Sequence, residues 1–267
     1  MANMFIAKTM TSSMSSFTTL SQFDGEAFDD LSFYRSIVGS QQYLSFIRPD
    51  ISFAINKVCQ FLQHPTIPYW TAVKWILQYL KHTLFNDLYI RWNSAHQLHA
   101  FSDADWVGYL NNRRSTSSYY IFLGHNLISW NSRKQATVSR SSTEAEYQSL
   151  ANTTIELQWI QYLLKELGVF MATPPTLWCN NLGAIYLTAN TMFHARTKHI
   201  KIDFHFVYDK VASKNIVVRF ISTKDQKTNI FTKPLVSTRY STLLDNLSIM
   251  EIMLQLRGHI KASEYIQ

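Results

Sequence analysis

Between residues 34 and 82 apolar side chains recur at steps of three and four, the repeat of helices that bury one face. Ile37, Val38, Tyr43, Leu44 and Ile47 fit a first helix that stops at Arg48-Pro49. Ile51, Ala54, Ile55, Val58 and Leu62 fit a second, and Pro49 suits a first helical turn. Pro65 and Pro68 separate a third, which carries Trp70, Val73, Ile76, Leu77 and Leu80. From residue 88 the pattern shortens to aromatic and aliphatic runs at 88–92, 98–102, 119–123 and 127–130, each read as a strand. Gly124-His125-Asn126 supplies a hairpin turn between the last two. The helical repeat then returns: Leu150, Leu157, Ile160 and Leu164 form the buried stripe of one long helix. Its start is marked by the capping box Ser141-Ser142-Thr143-Glu144 and its end by Gly168. Beyond it the pattern predicts a strand at 176–179, helices at 182–189 and 202–211, a strand at 216–221, and short helices at 225–231 and 239–247.

Three meandering strands followed by alternating helices and strands predict an α/β fold, a mixed sheet with helices packed on it. The same pattern divides the chain. Residues 1–31, rich in Ser, Thr and Met and without periodicity, are expected to be a disordered leader. Residues 32–85 are expected to form a separate helical unit, residues 86–235 the sheet domain, and residues 236–267 a C-terminal helix and tail.

Composition changes this picture at three points. The formal net charge of +7 favours an anionic partner, nucleic acid first. Cys59 and Cys179 stand far apart with no zinc or redox spacing, which suits a reducing, intracellular compartment, cytoplasmic or nuclear. No apolar run reaches membrane-spanning length, and a leader with one Lys and no Arg makes a poor organelle-targeting signal.

Candidate chemistry centres on Leu98-His-Ala-Phe-Ser-Asp-Ala-Asp-Trp-Val-Gly108, a strand that delivers Asp103 and Asp105 at its far end. A carboxylate at the end of a buried strand needs a partner, and Mg²⁺ is one that prefers rigidly held carboxylate oxygens. A strand that simply ends in a polar turn accounts for the stretch equally well. Stepping back from Leu164 by threes and fours reaches Glu146, which therefore shares the face of the buried leucines. Glu144 suits instead the role of a helix-start acid. Phe28-Asp29-Asp30-Leu31 is not a polymerase Asp-Asp turn, because Asp24, Gly25 and Glu26 precede it instead of an apolar strand. His194, His199 and His205 offer a zinc-nuclease alternative, weakened by the lack of cysteines at ligand spacing and by the surrounding basic residues.

Several segments resemble, in order, the C-terminal part of copia-type retrotransposon Pol polyproteins. They are Tyr34-Arg-Ser-Ile-Val-Gly-Ser40, Arg48-Pro-Asp-Ile51, Phe101-Ser-Asp-Ala-Asp-Trp106, Ser139-Arg-Ser-Ser-Thr-Glu-Ala-Glu-Tyr147, Thr197-Lys-His-Ile200 and Phe231-Thr-Lys-Pro-Leu235. The resemblance spans roughly residues 32–247. It implies that residues 34–82 are the thumb and connecting helices that end a reverse transcriptase. It implies that the sheet domain has the ribonuclease H fold, a five-stranded mixed sheet, and hydrolyses the RNA strand of RNA–DNA hybrids. Four carboxylates hold two Mg²⁺ ions in that family. By motif the first two are Asp103 and Glu146, the expected metal ligands. The family's third and fourth acids fall on Asn180 and Asn229. Asp225 matches an acid the family already has and does not replace the fourth. With two of four catalytic acids replaced, the resemblance implies impaired hydrolysis and at most weak Mg²⁺ binding. What is left is a catalytically dead module that still binds hybrid or other nucleic acid, or a non-functional relic of a decayed element. Arg113, Arg114, Lys134, Arg140 and Lys198, next to the motif segments, are the expected nucleic-acid-binding residues.

Overall fold

The computed structural model describes residues 7–16, 20–21, 24–92, 96–109, 111–190 and 200–251. Its centre is a five-stranded mixed sheet in the order β4-β3-β2-β5-β6. The strands are β2 (Leu98–Asp105), β3 (Thr116–Leu123), β4 (Asn126–Lys134), β5 (Thr176–Cys179) and β6 (Val217–Phe220). β2, β3 and β4 form the antiparallel meander, and β5 and β6 add parallel to β2 and β5. The long helix α4 (Ser142–Glu166), α5 (Leu182–Ala189) and α6 (Lys201–Ala212) complete the α/β arrangement expected from the pattern.

Alternation along the strands gives the sheet two apolar faces. Leu98, Ala100, Ile121, Leu177 and Cys179 bury against Leu150, Leu157, Ile160 and Leu164 of α4 and Phe204 and Val207 of α6. The α4 stripe is the predicted one, and the Ser141 half of its capping box forms, while Glu144 reaches back one residue further than the box requires. The Ser141 hydroxyl accepts from the Glu144 amide, and the Glu144 carboxylate accepts from the Arg140 amide at 2.8 Å. Gly168 takes φ +75°, the left-handed conformation that ends the helix.

The opposite face of the sheet packs against the helical segment that precedes it. Phe101, Tyr120, Phe122 and Leu127 of the sheet share one core with Tyr34, Val38, Ile51, Phe53, Val58, Tyr69 and Ile76. These come from α1 (Leu31–Leu44), α2 (Ser52–Cys59), α3 (Ile67–His82) and a 3₁₀ turn at Pro49–Ile51. The helical segment thus covers the second face of the sheet, because β2–β4 present aromatic side chains that water would otherwise reach. α7 (Asn229–Thr232) and α8 (Ser237–Leu244) add Ile230, Phe231, Tyr240 and Leu243 to the same core.

Two helical stripes also differ from the expectation. α1 buries Tyr34, Val38 and Gln41, leaving Tyr43 and Ile47 exposed, and α3 buries Tyr69, Ala72, Val73, Ile76 and Tyr79. Both carry apolar residues around more than one face, so periodicity alone does not choose among them. Within residues 1–31 a few described positions touch the folded body. Met14 joins the core, the Ser12 carbonyl accepts from Trp75 Nε1 at 2.8 Å, and Asp30 caps α1. The strand expected at 88–92 is instead β1 (Asn86–Leu88), which pairs outside the main sheet with β7 (Ile249–Glu251).

A buried polar knot ties the helical layer together. Arg48 makes a two-pronged pair with Asp50, 2.9 Å from Nε and 2.7 Å from Nη2. Tyr79 donates its hydroxyl to the same carboxylate at 2.6 Å, and Tyr240 of α8 donates to the Asp50 carbonyl at 2.9 Å.

Candidate active site

β2 continues past the expected end at residue 102, so Asp103 lies within the strand and Asp105 is its last residue. Ser102 faces Cys179 in the parallel β2–β5 pair, which brings Asn180, the first residue after β5, beside Asp103. The Asn180 amide donates to Asp103 Oδ1 at 3.4 Å. Helical periodicity carries Glu146 from α4 to the same place, where Asp103 and the Ala104 amide act on its carboxyl. Ser149, one turn later, donates its hydroxyl to the carbonyls of Asp103 and Ser118 and pins α4 to the strands. Asp103 and Glu146 are 2% and 6% exposed, so neither charge is screened by bulk water.

Burial raises the Glu146 carboxyl well above the ordinary carboxylate range, and the neighbouring Asp103 pushes it the same way. A cation beside the Glu146 carboxylate would offset that cost of ionisation. Burial also raises Asp105, against the pull of Lys57 and Lys233. Asp105 turns towards the Asp105–Gly108 turn, where a Cβ at Gly108 would run into its carboxylate. Val107 in that turn has φ +60°, a strained conformation for a β-branched residue.

Asn229 opens α7, where its amide donates to the Thr223 carbonyl at 3.0 Å. One turn further on, Thr232 donates its hydroxyl to Asp103 Oδ2 at 2.5 Å. Thr232, and Lys233 whose charge acts on Glu146 and Asp105, were not singled out from the sequence. The signal was available, since both fall inside the Phe231-Thr-Lys-Pro-Leu235 segment. Burial pushes the Cys179 thiol, next to Asn180, up to about 12, which leaves it protonated and unreactive.

The donor set can be tested for a cation. Glu146 Oε2, Asn180 Oδ1 and Asn229 Oδ1 are buried with no hydrogen-bond partner among the described residues. Carboxylate and amide oxygens suit Mg²⁺, so by donor type the residues fit one hydrated ion. By charge they do not fit two, since Asp103 and Glu146 supply a formal −2 against two dications. Among the described residues no group of three or more His, Cys, Asp or Glu is arranged to hold a metal. His205 lies on α6, while His194 and His199 of the zinc alternative lie outside the described residues.

Of the expected nucleic-acid-binding residues, Lys134 ends β4 with its amine 4.5 Å from the Tyr109 ring centroid. Burial lowers the Lys134 amine, and the nearby Arg114 adds to the effect. Arg113 sits at φ +55° in the loop between β2 and β3. Arg140 is exposed at the entry to α4, following Ser139, whose carbonyl accepts from Trp106 Nε1 at 3.1 Å. Lys198 lies outside the described residues. No helix among the described residues is long and apolar enough to cross a membrane.

No model of a known protein family matches the sequence. The chain is 45% identical over 250 residues to the retrovirus-related Pol polyprotein from transposon RE1 of Arabidopsis thaliana, covering 94% of this chain and 17% of that protein. It is 38% identical over 201 residues to the corresponding polyprotein from transposon TNT 1-94 of Nicotiana tabacum, covering 75% of this chain and 15% of that one. It thus spans about one sixth of the length of these curated relatives. Solved structures that share parts of its outline are LC11-RNase H1 in complex with RNA/DNA hybrid and a foamy viral protease-reverse transcriptase in complex with RNA/DNA hybrid. The first has a TM-score of 0.36 and 12% identity, covering 49% of this chain and 88% of that one. The second has 0.45 and 14%, covering 75% and 25%.

Proposed function

We propose that the chain is a piece of a copia-type retrotransposon Pol polyprotein, as its similarity to the RE1 and TNT 1-94 polyproteins supports, that residues 86–235 are the ribonuclease H module and that residues 32–85 come from the end of the reverse transcriptase. The module binds RNA–DNA hybrid and hydrolyses its RNA strand at best feebly. One observation carries this reading: the Asn180 amide donates to Asp103, where an ionised acid at that position would share a cation with it.

Bound between such residues, divalent cations activate the attacking water and stabilise the leaving oxygen. Asp103 and Glu146 would hold the first ion, with the Asn180 carbonyl oxygen as a neutral ligand once the amide turns. Thr232 orients the Asp103 carboxylate, and Ser149 fixes the backbone beneath it. A second ion lacks charged ligands at Asn180 and Asn229. Without it the clamp on both reacting oxygens does not form, and losses of this kind cost a factor of about 10² to 10³ each, not additively. Arg113, Arg114, Lys134, Arg140 and Lys198 supply phosphate contacts, so binding outlasts catalysis. The unpaired thiols of Cys59 and Cys179 suit a reducing intracellular setting.

The test is a binding and cleavage assay on a labelled hybrid, in Mg²⁺ and in Mn²⁺. The reading expects salt-dependent binding and cleavage near background. Robust Mg²⁺-dependent cleavage abolished by Asp103→Asn would overturn the impaired-site assignment, and no binding at all would leave a relic of the element.

A further inference from the structure

Where the helical layer meets the end of β2, two lysines from distant parts of the chain converge on one aromatic ring. Lys57 of α2 lies 3.7 Å from the Tyr109 ring centroid, and Lys134 of β4 lies 4.5 Å from it. Tyr109 is 5% exposed, and its hydroxyl accepts from Gln60 Nε2 at 2.8 Å. Lys57 also donates to the Gly108 carbonyl at 2.9 Å, which fixes its amine against the turn after Asp105. Beside them opens a cavity of about 460 Å³, lined by Gln60, Gln63, His64, Tyr109, Asn112 and Lys134 among others.

The charges do not balance within this corner. Asp105 is the carboxylate that acts on Lys57, whereas Lys134 is acted on by burial and by the positive charge of Arg114. Burial lowers the Lys57 amine to about 8, partly opposed by Asp105 and reinforced by Lys134. Two like charges held on one ring, one of them poorly hydrated, cost free energy that an anion would offset. The ring is already covered by ammonium groups, so the ligand group is a compact anion rather than a stacked base. Besides apolar Leu20, Phe61 and Leu62, the lining holds several side-chain amides and the His64 imidazole, donors that suit phosphate oxygens.

We propose that Lys57, Lys134 and the Tyr109 platform form a phosphate-binding site for the backbone of the nucleic-acid strand that lies across the acid cluster. This rests on the function proposed above. It makes the helical segment part of the substrate-binding surface, since Lys57 comes from residues outside the ribonuclease H module. Asp105 links the two places. It lies near Lys57 and two residues from Asp103, so a strand crossing Asp103 carries a neighbouring phosphate to this corner.

The test uses the full chain and a fluorescent RNA–DNA hybrid, with affinity measured across a salt series. Lys57→Gln with Lys134→Gln is compared with Lys57→Arg with Lys134→Arg, and with Lys165→Gln at the far end of α4 as a charge control. Melting curves establish that each variant folds. The Gln pair is expected to flatten the slope of log affinity against log salt by about 1 to 2 and weaken binding by about tenfold or more. The Arg pair is expected to restore most of both. A folded Gln pair with the slope of the unmodified chain overturns the site while leaving hybrid binding intact. An unmodified chain that binds no hybrid overturns both readings together. If inorganic phosphate raises the melting temperature of the unmodified chain but not of the Gln pair, and the hybrid slope is unchanged, the pocket holds a free anion and the strand assignment fails.

Discussion

The amide of Asn180 points its donor at Asp103 Oδ1, 3.4 Å away. An aspartate there would replace that hydrogen bond with repulsion, in a site where burial and Asp103 already raise the Glu146 carboxyl. Asn180→Asp is therefore expected to lower the melting temperature in a chelator. The lost hydrogen bond alone accounts for about 1 kcal/mol, or roughly 2–4 °C for a chain of this size. Mg²⁺ should recover the loss, and by more than it shifts the unmodified chain. Thermal melts with and without Mg²⁺ check this.

Glu146 gives a stability change of opposite sign. Its folded carboxyl titrates well above its unfolded counterpart, because burial and Asp103 disfavour the charge. The folded state then binds the extra proton. The stabilisation is fully present below the unfolded value near pH 4.5 and fades as pH rises towards the folded one. Glu146→Gln keeps the shape without the charge. It should melt higher than the unmodified chain at neutral and alkaline pH and lose the response to Mg²⁺. Equal melting curves across that range would show that the carboxyl is not strained.

His99 behaves in the reverse sense. Its ring stacks on Phe122 at 5.1 Å, and burial, with Lys227 and His125 adding to it, holds it down at about 4. A base depressed on folding contributes stability above its unfolded value near 6.5, and that stability is lost as pH falls towards 4. His99→Phe preserves the stack and removes the proton. Melting temperatures between pH 7 and pH 4 should fall less for this variant than for the unmodified chain.

The Arg48–Asp50 pair ties the start of α2 to the end of α3 through Tyr79 and Thr83, with side chains 7% and 0% exposed. Removing one partner strands the other charge. Asp50→Asn should cost about 3–5 kcal/mol, whereas Tyr79→Phe, which removes one donor to the carboxylate, should cost about 1–3. Chemical denaturation of the two variants checks the ranking. Similar small losses in both would mean that water reaches the pair.

The half of the fold built on α4 was legible because a long helix on a sheet buries a single stripe. That stripe, counted backwards, also led to Glu146. The other half was hidden. α1 and α3 carry aromatic and aliphatic residues on several sides, so Tyr79 and Tyr69 could not be preferred over Trp70, Leu77 and Leu80 without the sheet they cover. β1 pairs with β7 across more than 150 residues of chain, a contact that no local pattern records. At the site, strand and helix periodicity found Asp103 and Glu146, but the importance of Asn180 and Asn229 came only from the resemblance. Nothing in the local pattern marks Lys57, and its place over Tyr109 depends on the helical layer docking where it does.

The most direct test is a hybrid-cleavage assay on the double reversion Asn180→Asp with Asn229→Asp. The unmodified chain is expected to cleave near background in Mg²⁺, each single reversion to gain little, and the double revertant to show metal-dependent cleavage of the RNA strand that Asp103→Asn abolishes. A double revertant that folds and binds hybrid but remains at background would contradict the claim that these two asparagines are what the site lacks.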